Sequence, residues 1–333
     1  MRFGAVPLAQ AQGAVLAHSV PVTAGRLRKG RVLAQADIAA LQEAGITEVI
    51  VARLDDGDVG EDAAAQALAN ALVPDPAAAQ LDVTKPFTGR VNLLARGPGV
   101  AVLDAGAVQA VNRIHPMITV ATVPPMQQMA GGGMVATIKI ISYAVPGAAL
   151  KTACAAARAA IRLAPPVLRS ASLIVTEIPG GAGDKGRAAI EARTDALGLT
   201  MEQVTLVAHR TDALAAALRS AASDLTLILT GSATSDIDDV APSALRAAGG
   251  RVERFGMPVD PGNLLFLGDL GGRAVIGLPG CARSPALNGA DWVLARVACG
   301  IAVTGDDIAA MGVGGLLKEI PTRPQPRRKR PAP

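Results

Sequence analysis

The chain has 333 residues, of which half are hydrophobic and only 2% are aromatic, and its formal net charge is +4. This length allows two or three domains, and the hydrophobic content excludes a wholly disordered chain. Five basic residues lie within the last eleven positions: Arg323, Arg327, Arg328, Lys329 and Arg330. The remainder is therefore close to neutral, and with so few aromatic side chains we expect no nucleic-acid partner.

The three cysteines, Cys154, Cys281 and Cys299, have no spacing typical of a zinc finger. This odd number favours free thiols in a reducing cytosol over disulfides. The N-terminus lacks a charged segment leading into an apolar run, so no signal peptide is expected. Apolar stretches are interrupted before they reach membrane-spanning length. We expect a cytoplasmic protein without a membrane partner.

The first third of the chain predicts a mixture of helices and strands. Residues 1–20 are predicted to form a short helix that leads into a strand. Asp37 is predicted to cap a helix that ends at Gly45, and the β-branched run at 49–51 predicts a strand. An alanine-rich segment from Glu61 to Leu72 predicts another helix.

The segment from about 85 to 147 has a different pattern. Short β-branched runs occur at 99–103, 118–123 and 135–141, and prolines and glycines interrupt them. This pattern predicts a smaller subdomain that is mainly β or mixed α/β. We assign it to an N-terminal mixed α/β region covering residues 1–165.

From about Ser170, predicted strands and helices alternate. The strands are predicted at 172–176, 203–208, 225–230, 251–255, 263–267 and 274–278. The helices are predicted at 185–197, 212–222, 242–248 and 290–298. This alternation indicates an α/β fold, a three-layer doubly wound and mostly parallel sheet, which we assign to residues 166–318. Residues 319–333, rich in proline and arginine, are expected to form a flexible tail.

Three segments of this second domain are candidates for a ligand site, because ligands of such sheets bind outside the carboxyl ends of the strands. They are LTGSATSDIDD at 229–239, PVDPGN at 258–263 and LPGCARSP at 278–285. Gly231 would let the backbone approach a ligand closely. Each segment alone also has an ordinary structural explanation, such as a proline–glycine turn or a helix that starts at Asp238–Asp239.

Together, the order and spacing of these segments resemble the catalytic domain of the molybdopterin molybdenumtransferase family. That family has a TGG-x-S-x-G-x-x-D loop, then a KPG turn, then an LPGNP turn. The matching positions here are Thr230, Gly231, Ser232, Asp239, Pro261, Gly262, Leu278, Pro279 and Gly280. The sequences at 6–20 and 26–51 also resemble the N-terminal part of that family.

The resemblance is closer to one variant, the N-terminal half of proteins that continue into a nucleotidyltransferase domain like that of molybdenum cofactor cytidylyltransferases. The phrases at 256–265, 279–294 and 310–317 carry this resemblance. No second domain of that kind is expected within these 333 residues.

Several positions depart from the family pattern. Ser232 and Asp236 replace two loop glycines, Thr234 replaces the loop serine, and Cys281 replaces the asparagine of LPGNP. Thr176 is followed by Glu177, where the family has a TGDE-type turn. Molybdopterin binding would survive these changes more readily than molybdate insertion.

The resemblance implies molybdopterin, free or adenylylated, as the ligand. Its phosphate would suit backbone N–H groups at Gly231–Ser232, and Asp236 or Asp239 would accept hydrogen bonds from the pterin edge. Asp239 is also the candidate catalytic residue and the candidate ligand for Mg²⁺. The candidate binding residues are Thr230, Gly231, Ser232, Thr234, Asp236, Pro261, Gly262, Pro279, Gly280, Cys281 and Ser284.

Some of these residues have competing interpretations. Cys281 could contact the dithiolene or molybdenum, but a buried small hydrophobic residue is favoured. Ser284 and Asn288 could bind a ligand or cap the last helix. The three histidines (His18, His115, His209) are favoured as surface or capping residues.

Two functions follow from the resemblance. The first is a molybdopterin-binding protein of molybdenum cofactor biosynthesis, a transferase if it inserts molybdate into adenylylated molybdopterin. The second is a non-catalytic carrier that presents the cofactor to a cytidylyltransferase or an apo-molybdoenzyme. We expect a homo-oligomer in either case. A generic nucleotide-binding protein is disfavoured because neither G-x-G-x-x-G nor a P-loop follows any predicted strand.

Overall fold

The chain divides into two units between Ala164 and Pro165 in the computed structural model, which describes residues 1–317. The predicted tail at 319–333 lies outside the described residues. Among residues 1–317, no helix is long and apolar enough to cross a membrane.

The first unit contains four α-helices and several small sheets. Its strands are β1 (Arg2–Pro7), β2 (Val15–Leu16), β3 (Val20–Val22), β4 (Gly25–Leu27), β5 (Glu48–Arg53), β6 (Asp58–Gly60), β7 (Leu81–Val83), β8 (Arg90–Ala95), β9 (Gly99–Leu103), β10 (Ile118–Thr122), β11 (Gln128–Met129), β12 (Met134–Ile140), β13 (Ala144–Pro146) and β14 (Ile161–Ala164). Its helices are α1 (Gln35–Glu43), α2 (Glu61–Leu72), α3 (Ala105–Ile114) and α4 (Gly147–Ala156), with a 3-10 turn at Leu8–Gln10.

The start of the chain differs from the sequence prediction. Residues 2–7 form β1, which pairs antiparallel with β5, and β2 pairs with the other side of β5. The predicted helix within residues 1–20 is therefore wrong, because pairing with a distant strand overrides the local sequence preference. Helix α1 follows Ala34, and the Asp37 carboxylate closes its first turn by accepting the Ala34 N–H. Asp37 is thus the third helical residue rather than the cap.

The rest of the first unit is mixed α/β. Its four-stranded sheet has the order β10-β12-β8-β7, and a three-stranded sheet has the order β11-β9-β14. Alternate residues of β8 and β12, such as Val91 and Ile138, are buried in one core with Leu68 and Leu72 of α2. Helix α2 has the predicted limits, Glu61–Leu72, because its alanines and leucines form one apolar face.

The second unit is built around a six-stranded sheet. Its strands are β15 (Ser170–Glu177), β16 (Thr200–Ala208), β17 (Leu225–Leu229), β18 (Arg251–Phe255), β19 (Phe266–Leu270) and β20 (Arg273–Leu278). Its helices are α5 (Arg187–Asp195), α6 (Thr211–Ser220), α7 (Val240–Ala247), α8 (Gly289–Ala298) and α9 (Gly305–Ala310), with a 3-10 turn at Gly280–Arg283.

The strand order is β16-β15-β17-β20-β19-β18. The first four strands in this order run parallel, and β19 and β18 are antiparallel additions. Helices α6 and α7 pack together on one face, with Leu214, Ala244 and Ile228 in a shared core. An ion pair between Arg193 of α5 and Asp291 of α8 joins the other two long helices. Helices therefore cover both faces, as the doubly wound prediction required.

Candidate ligand-binding site

The winding of the sheet changes direction at β15. From β15 the chain crosses through α5 to β16, and then returns through α6 to β17 on the opposite side of β15. Right-handed crossovers in opposite directions place α5 and α6 on opposite faces. The loops after β15 and β17 therefore separate, and they leave a crevice at the carboxyl ends of these strands where ligands of open α/β sheets bind.

A cavity of about 290 Å³ lies at this edge of the sheet. Its lining residues come from all three of the predicted segments: Ala233, Asp260, Pro261, Gly262, Asn263, Leu264, Pro279, Gly280 and Cys281. Five candidate residues therefore meet around one space, whereas the other candidates lie in the adjoining loops. The predicted strand at 263–267 begins later, at Phe266, because residues 260–264 form the turn that lines the cavity.

The glycines of the cavity have different structural roles. Gly262 has φ +143°, and a Cβ there would lie 2.7 Å from the Gly289 nitrogen, so backbone geometry and packing against α8 both require glycine. A Cβ at Gly280 would meet no atom within 4 Å, and its φ is not positive. The fold does not require glycine at position 280, and a side chain there would occupy open space beside the cavity.

The Thr230–Gly231 step is held by Thr176 at the end of β15. The Gly231 N–H donates to Thr176 Oγ1 at 2.9 Å, and the same hydroxyl lies 2.8 Å from His209 Nδ1. A Cβ at Gly231 would lie 2.6 Å from the Thr176 carbonyl oxygen, which explains the glycine. This N–H is therefore satisfied within the protein, and it is not free to donate to a phosphate in this structure.

The hydroxyl groups of the same loop differ in exposure. Thr230 and Thr234 are buried, and their hydroxyl oxygens lie 3.4 Å apart, whereas Ser232 is exposed. Neither Ser232 nor Asp236 has a positive φ. Replacement of the family's glycines at these two positions therefore causes no backbone strain, and its effect is to add side chains where a ligand would approach.

Asp239 is the N-cap of α7. Its Oδ1 accepts the Val240 N–H at 2.7 Å, and its Oδ2 accepts the Ser235 N–H at 2.9 Å. Asp238 forms an ion pair with Arg246 at 2.7 Å, and Asp236 accepts the Asp238 N–H. Asp239 therefore caps the start of a helix, which confirms the structural alternative given for Asp238–Asp239.

These residues do not fit a resident Mg²⁺. Both carboxylate oxygens of Asp239 already accept backbone N–H groups, whereas Mg²⁺ needs oxygen ligands in a near-octahedral set. Within residues 1–317, no three or more His, Cys, Asp or Glu side chains are grouped as metal ligands.

Cys281 is an exposed thiol that lines the cavity, so the expectation of a buried hydrophobic residue is wrong. Partial burial of the sulfur raises the pKa of this thiol, and the nearby Asp260 carboxylate also raises it. The Asp260 carboxylate has no hydrogen bond or salt-bridge partner among residues 1–317. The cavity thus offers one protonated thiol and one free carboxylate.

The loop after β20 takes its shape from Arg193 of α5, a contact the sequence did not predict. This buried side chain donates to Asp291 at 2.6 Å and to the carbonyl oxygens of Ala282, Ser284 and Ala286. The Ser284 hydroxyl accepts the Ala286 N–H. Asn288 caps α8 by accepting the Ala290 N–H. Of the two roles considered for Asn288, ligand binding and helix capping, the structure shows helix capping.

Thr176, Asp260 and Arg193 were not among the candidate residues. Thr176 could have been found from its position at the end of a predicted strand, and Asp260 from its place in the turn 258–263. Arg193 gives no local signal, since its partners lie about ninety to a hundred residues away along the chain.

The first unit has a larger surface cavity, of about 670 Å³, beside β1 and β5. Its two arginines already have protein partners: Arg2 pairs with Asp55, and Arg53 donates to the Gln10 carbonyl. The arginines of this cavity are therefore not free to bind a ligand.

Two family models match this chain. Residues 169–297 match the model described as "Probable molybdopterin binding domain", and residues 5–53 match a domain of unknown function (DUF8806). The search of curated proteins gives no match.

Several solved structures are similar to the chain at low identity. A molybdopterin biosynthesis moeA protein from Pyrococcus horikosii is 14% identical, with a TM-score of 0.32, and the match covers 90% of this chain and 75% of that one. A molybdenum cofactor biosynthesis protein from Pyrococcus furiosus is 13% identical, with a TM-score of 0.23 and coverage of 85% and 59%. A molybdopterin biosynthesis protein from Mycobacterium abscessus is 18% identical, with a TM-score of 0.29 and coverage of 40% and 94%. By the family match, residues 169–297 are similar to molybdopterin-binding domains.

Proposed function

We propose that the second unit binds molybdopterin and that the chain acts in molybdenum cofactor biosynthesis. The observation that carries this proposal is the convergence of three separate loop segments on one cavity at the carboxyl edge of the sheet. The family match over residues 169–297 supports molybdopterin as the ligand.

In this proposal Asp260 accepts hydrogen bonds from the pterin edge. Its carboxylate lines the cavity and is free of protein partners within residues 1–317. Asp239 instead holds the loop that precedes α7, because its oxygens accept two backbone N–H groups. Asp260→Asn should weaken pterin binding more than Asp239→Asn, since asparagine at 239 retains an oxygen that can cap the helix.

The binding site can be tested with a variant that leaves the fold undisturbed. Because a Cβ at Gly280 meets no protein atom, Gly280→Val should fold but obstruct the cavity. Gly305→Ala is the control, because its Cβ would also meet only loose contacts and it lies outside the cavity lining. We expect Gly280→Val to reduce molybdopterin affinity at least tenfold with little change in Tm, and Gly305→Ala to bind normally.

Molybdopterin is detected by its fluorescence after oxidation, both in the purified protein and in titrations. If the unmodified chain neither carries pterin nor binds added molybdopterin, the proposed function is wrong. If Gly280→Val binds as tightly as the unmodified chain, the ligand does not enter this cavity.

The carrier function is favoured over molybdate insertion by the side chains at Ser232 and Asp236. Molybdate is an anion, and the exposed Asp236 carboxylate repels it at the loop where the family has glycine. The protein would then present molybdopterin to a cytidylyltransferase or an apo-molybdoenzyme.

Restoring both glycines, Ser232→Gly with Asp236→Gly, should raise molybdate insertion into adenylylated molybdopterin if the rest of the site is competent. Insertion is measured as formation of the molybdenum-containing cofactor by the isolated protein. Efficient insertion by the unmodified chain would contradict the carrier function and favour the transferase.

A further inference from the structure

Arg283 joins two loops at the point where the winding of the sheet reverses. Its Nη2 donates to the Thr230 carbonyl oxygen at 2.8 Å, in the loop after β17. Its Nη1 donates to the carbonyl oxygens of Gly183 and Lys185, in the loop after β15. The guanidinium therefore lies in the crevice between β15 and β17 that open α/β sheets use for ligands.

The charge of Arg283 has no counter-ion among residues 1–317. No Asp or Glu oxygen of residues 1–317 lies within 4 Å of its guanidinium, and partial burial lowers the pKa of the side chain. Arg193 on α5 differs from Arg283 in this respect, because its buried guanidinium has a counter-ion, the Asp291 carboxylate, at 2.6 Å. A partly desolvated cation held only by carbonyl dipoles is stabilised when an anion binds beside it.

Arg283 also has hydrogen-bond donors that no protein group within residues 1–317 accepts. A guanidinium carries five N–H groups, and three of those of Arg283 are directed at protein carbonyls. The Nε–H and one Nη2–H have no partner within residues 1–317. Its Nε is not completely buried. Two neighbouring N–H donors of one guanidinium match the geometry of a phosphate.

The surrounding backbone is shaped around this side chain. A Cβ at Gly186 would lie 2.6 Å from Arg283 Cβ and 2.7 Å from its Cα, so only glycine lets the loop before α5 pass. Gly186 also has φ +98°, which favours glycine independently. The loop thus packs directly against Arg283, and the guanidinium is held in one place before any ligand binds.

We propose that Arg283 binds the anionic group of the ligand, a phosphate monoester, through its Nε–H and its free Nη2–H in the crevice between β15 and β17. The identity of that ligand as molybdopterin rests on the proposed function, but the anion site does not. Arg283 takes the role that the sequence resemblance suggested for the Gly231 N–H, which Thr176 already occupies.

The test separates anion binding from loop support. The affinities of unmodified protein, Arg283→Gln and Arg283→Lys are measured for the oxidised fluorescent pterin with and without its phosphate. Arg246→Gln is the matched control, since this arginine is on α7 and already pairs with Asp238. We expect Arg283→Gln to bind the phosphorylated pterin at least tenfold more weakly and the dephosphorylated pterin within twofold, Arg283→Lys to be intermediate, and Arg246→Gln to be unchanged.

A second measurement uses only the unmodified protein, so it does not depend on whether a variant folds. In the unmodified protein, inorganic pyrophosphate should shift the Nε–H resonance of Arg283 in ¹H–¹⁵N spectra, and the Arg246 resonance should stay in place. If Arg283→Gln weakens both pterin forms equally and pyrophosphate leaves the Arg283 resonance unmoved, Arg283 only supports the loops and the inference is overturned. If pyrophosphate shifts the resonance but no pterin binds, the anion site stands and the proposed function fails.

Discussion

Thr176, Gly231 and His209 form a hydrogen-bond chain at the carboxyl end of β15. The Gly231 N–H can only donate, so Thr176 Oγ1 accepts it. The same hydroxyl is within hydrogen-bond distance of His209 Nδ1, and because it has one proton and two lone pairs it can either donate to that nitrogen or accept from it. The loop after β17 is therefore fixed by a side chain on the neighbouring strand.

Removing the Thr176 hydroxyl should destabilise the protein. Thr176→Val leaves the Gly231 N–H without its partner in a partly buried site, which costs about 1–3 kcal/mol. Thr176→Ser retains the hydroxyl and should lose less than half as much. The free energy of unfolding from urea titrations checks this, and equal losses for the two variants would show that the methyl group, not the hydroxyl, matters.

Cys281 should react slowly with alkylating reagents at neutral pH. Alkylation requires the thiolate, and a pKa raised by partial burial leaves little thiolate below that pKa. The rate should therefore keep rising with pH beyond the range in which N-acetylcysteine reaches its plateau. Peptide mass spectrometry after iodoacetamide treatment measures it, and a plateau already at pH 7 would contradict the raised pKa.

At the scale of elements, one arginine connects α5, α8 and the loop between β20 and α8. Because Arg193 is buried and its charge is paired with Asp291, removing it leaves that carboxylate without its counter-charge and several carbonyl groups without their donor. Breaking a buried pair by removing one partner typically costs about 3–5 kcal/mol.

Arg193→Gln should therefore lower the free energy of unfolding by an amount in that range. Arg210→Gln is the control, because the Arg210–Asp212 pair is fully exposed and should leave the denaturation midpoint nearly unchanged. Both are measured by chemical denaturation. Similar small effects in the two variants would mean that the loop keeps its shape without Arg193.

Asp239 should contribute more to the stability of helix α7 than to ligand binding. Asp239→Ala removes the N-cap and should cost about 0.5–2 kcal/mol, whereas Asp239→Asn should cost much less. Asp239→Asn also tests for a bound cation. If Asp239 holds Mg²⁺, pterin binding by the unmodified protein depends on Mg²⁺, whereas pterin binding by Asp239→Asn does not. Denaturation and pterin titrations with and without Mg²⁺ measure both effects.

At the scale of the whole molecule, the second unit has what a separate domain needs. Helices cover both faces of its sheet, and Ile228 and Val275 lie in a closed core with Leu214. A fragment of residues 165–317 should therefore fold cooperatively and retain pterin binding. Circular dichroism during thermal unfolding and pterin titration check this, and a fragment without a cooperative transition would show that residues 1–164 are required.

The sequence by itself determined the α/β class and most elements of the second unit. Strands such as β15 and β17 are short apolar runs bounded by glycine and polar residues, so their own sequences predict a strand. Local patterns decide such elements. The sequence failed at β1, whose conformation depends on pairing with β5 more than forty residues later.

The candidate site divides in the same way. The sequence singled out the three segments that meet at the cavity, because polar and glycine-rich turns follow apolar strands there. Only the tertiary structure decided which groups remain free for a ligand. The Gly231 N–H and the Asp239 carboxylate are used by neighbours. Within residues 1–317, the Asp260 carboxylate and two N–H groups of Arg283 have no partner. The partner of the Gly231 N–H is Thr176, 55 residues away along the chain, and no local pattern indicates it. The partners of Asp239 are local, and the helix start at Asp238–Asp239 was already an alternative in the sequence.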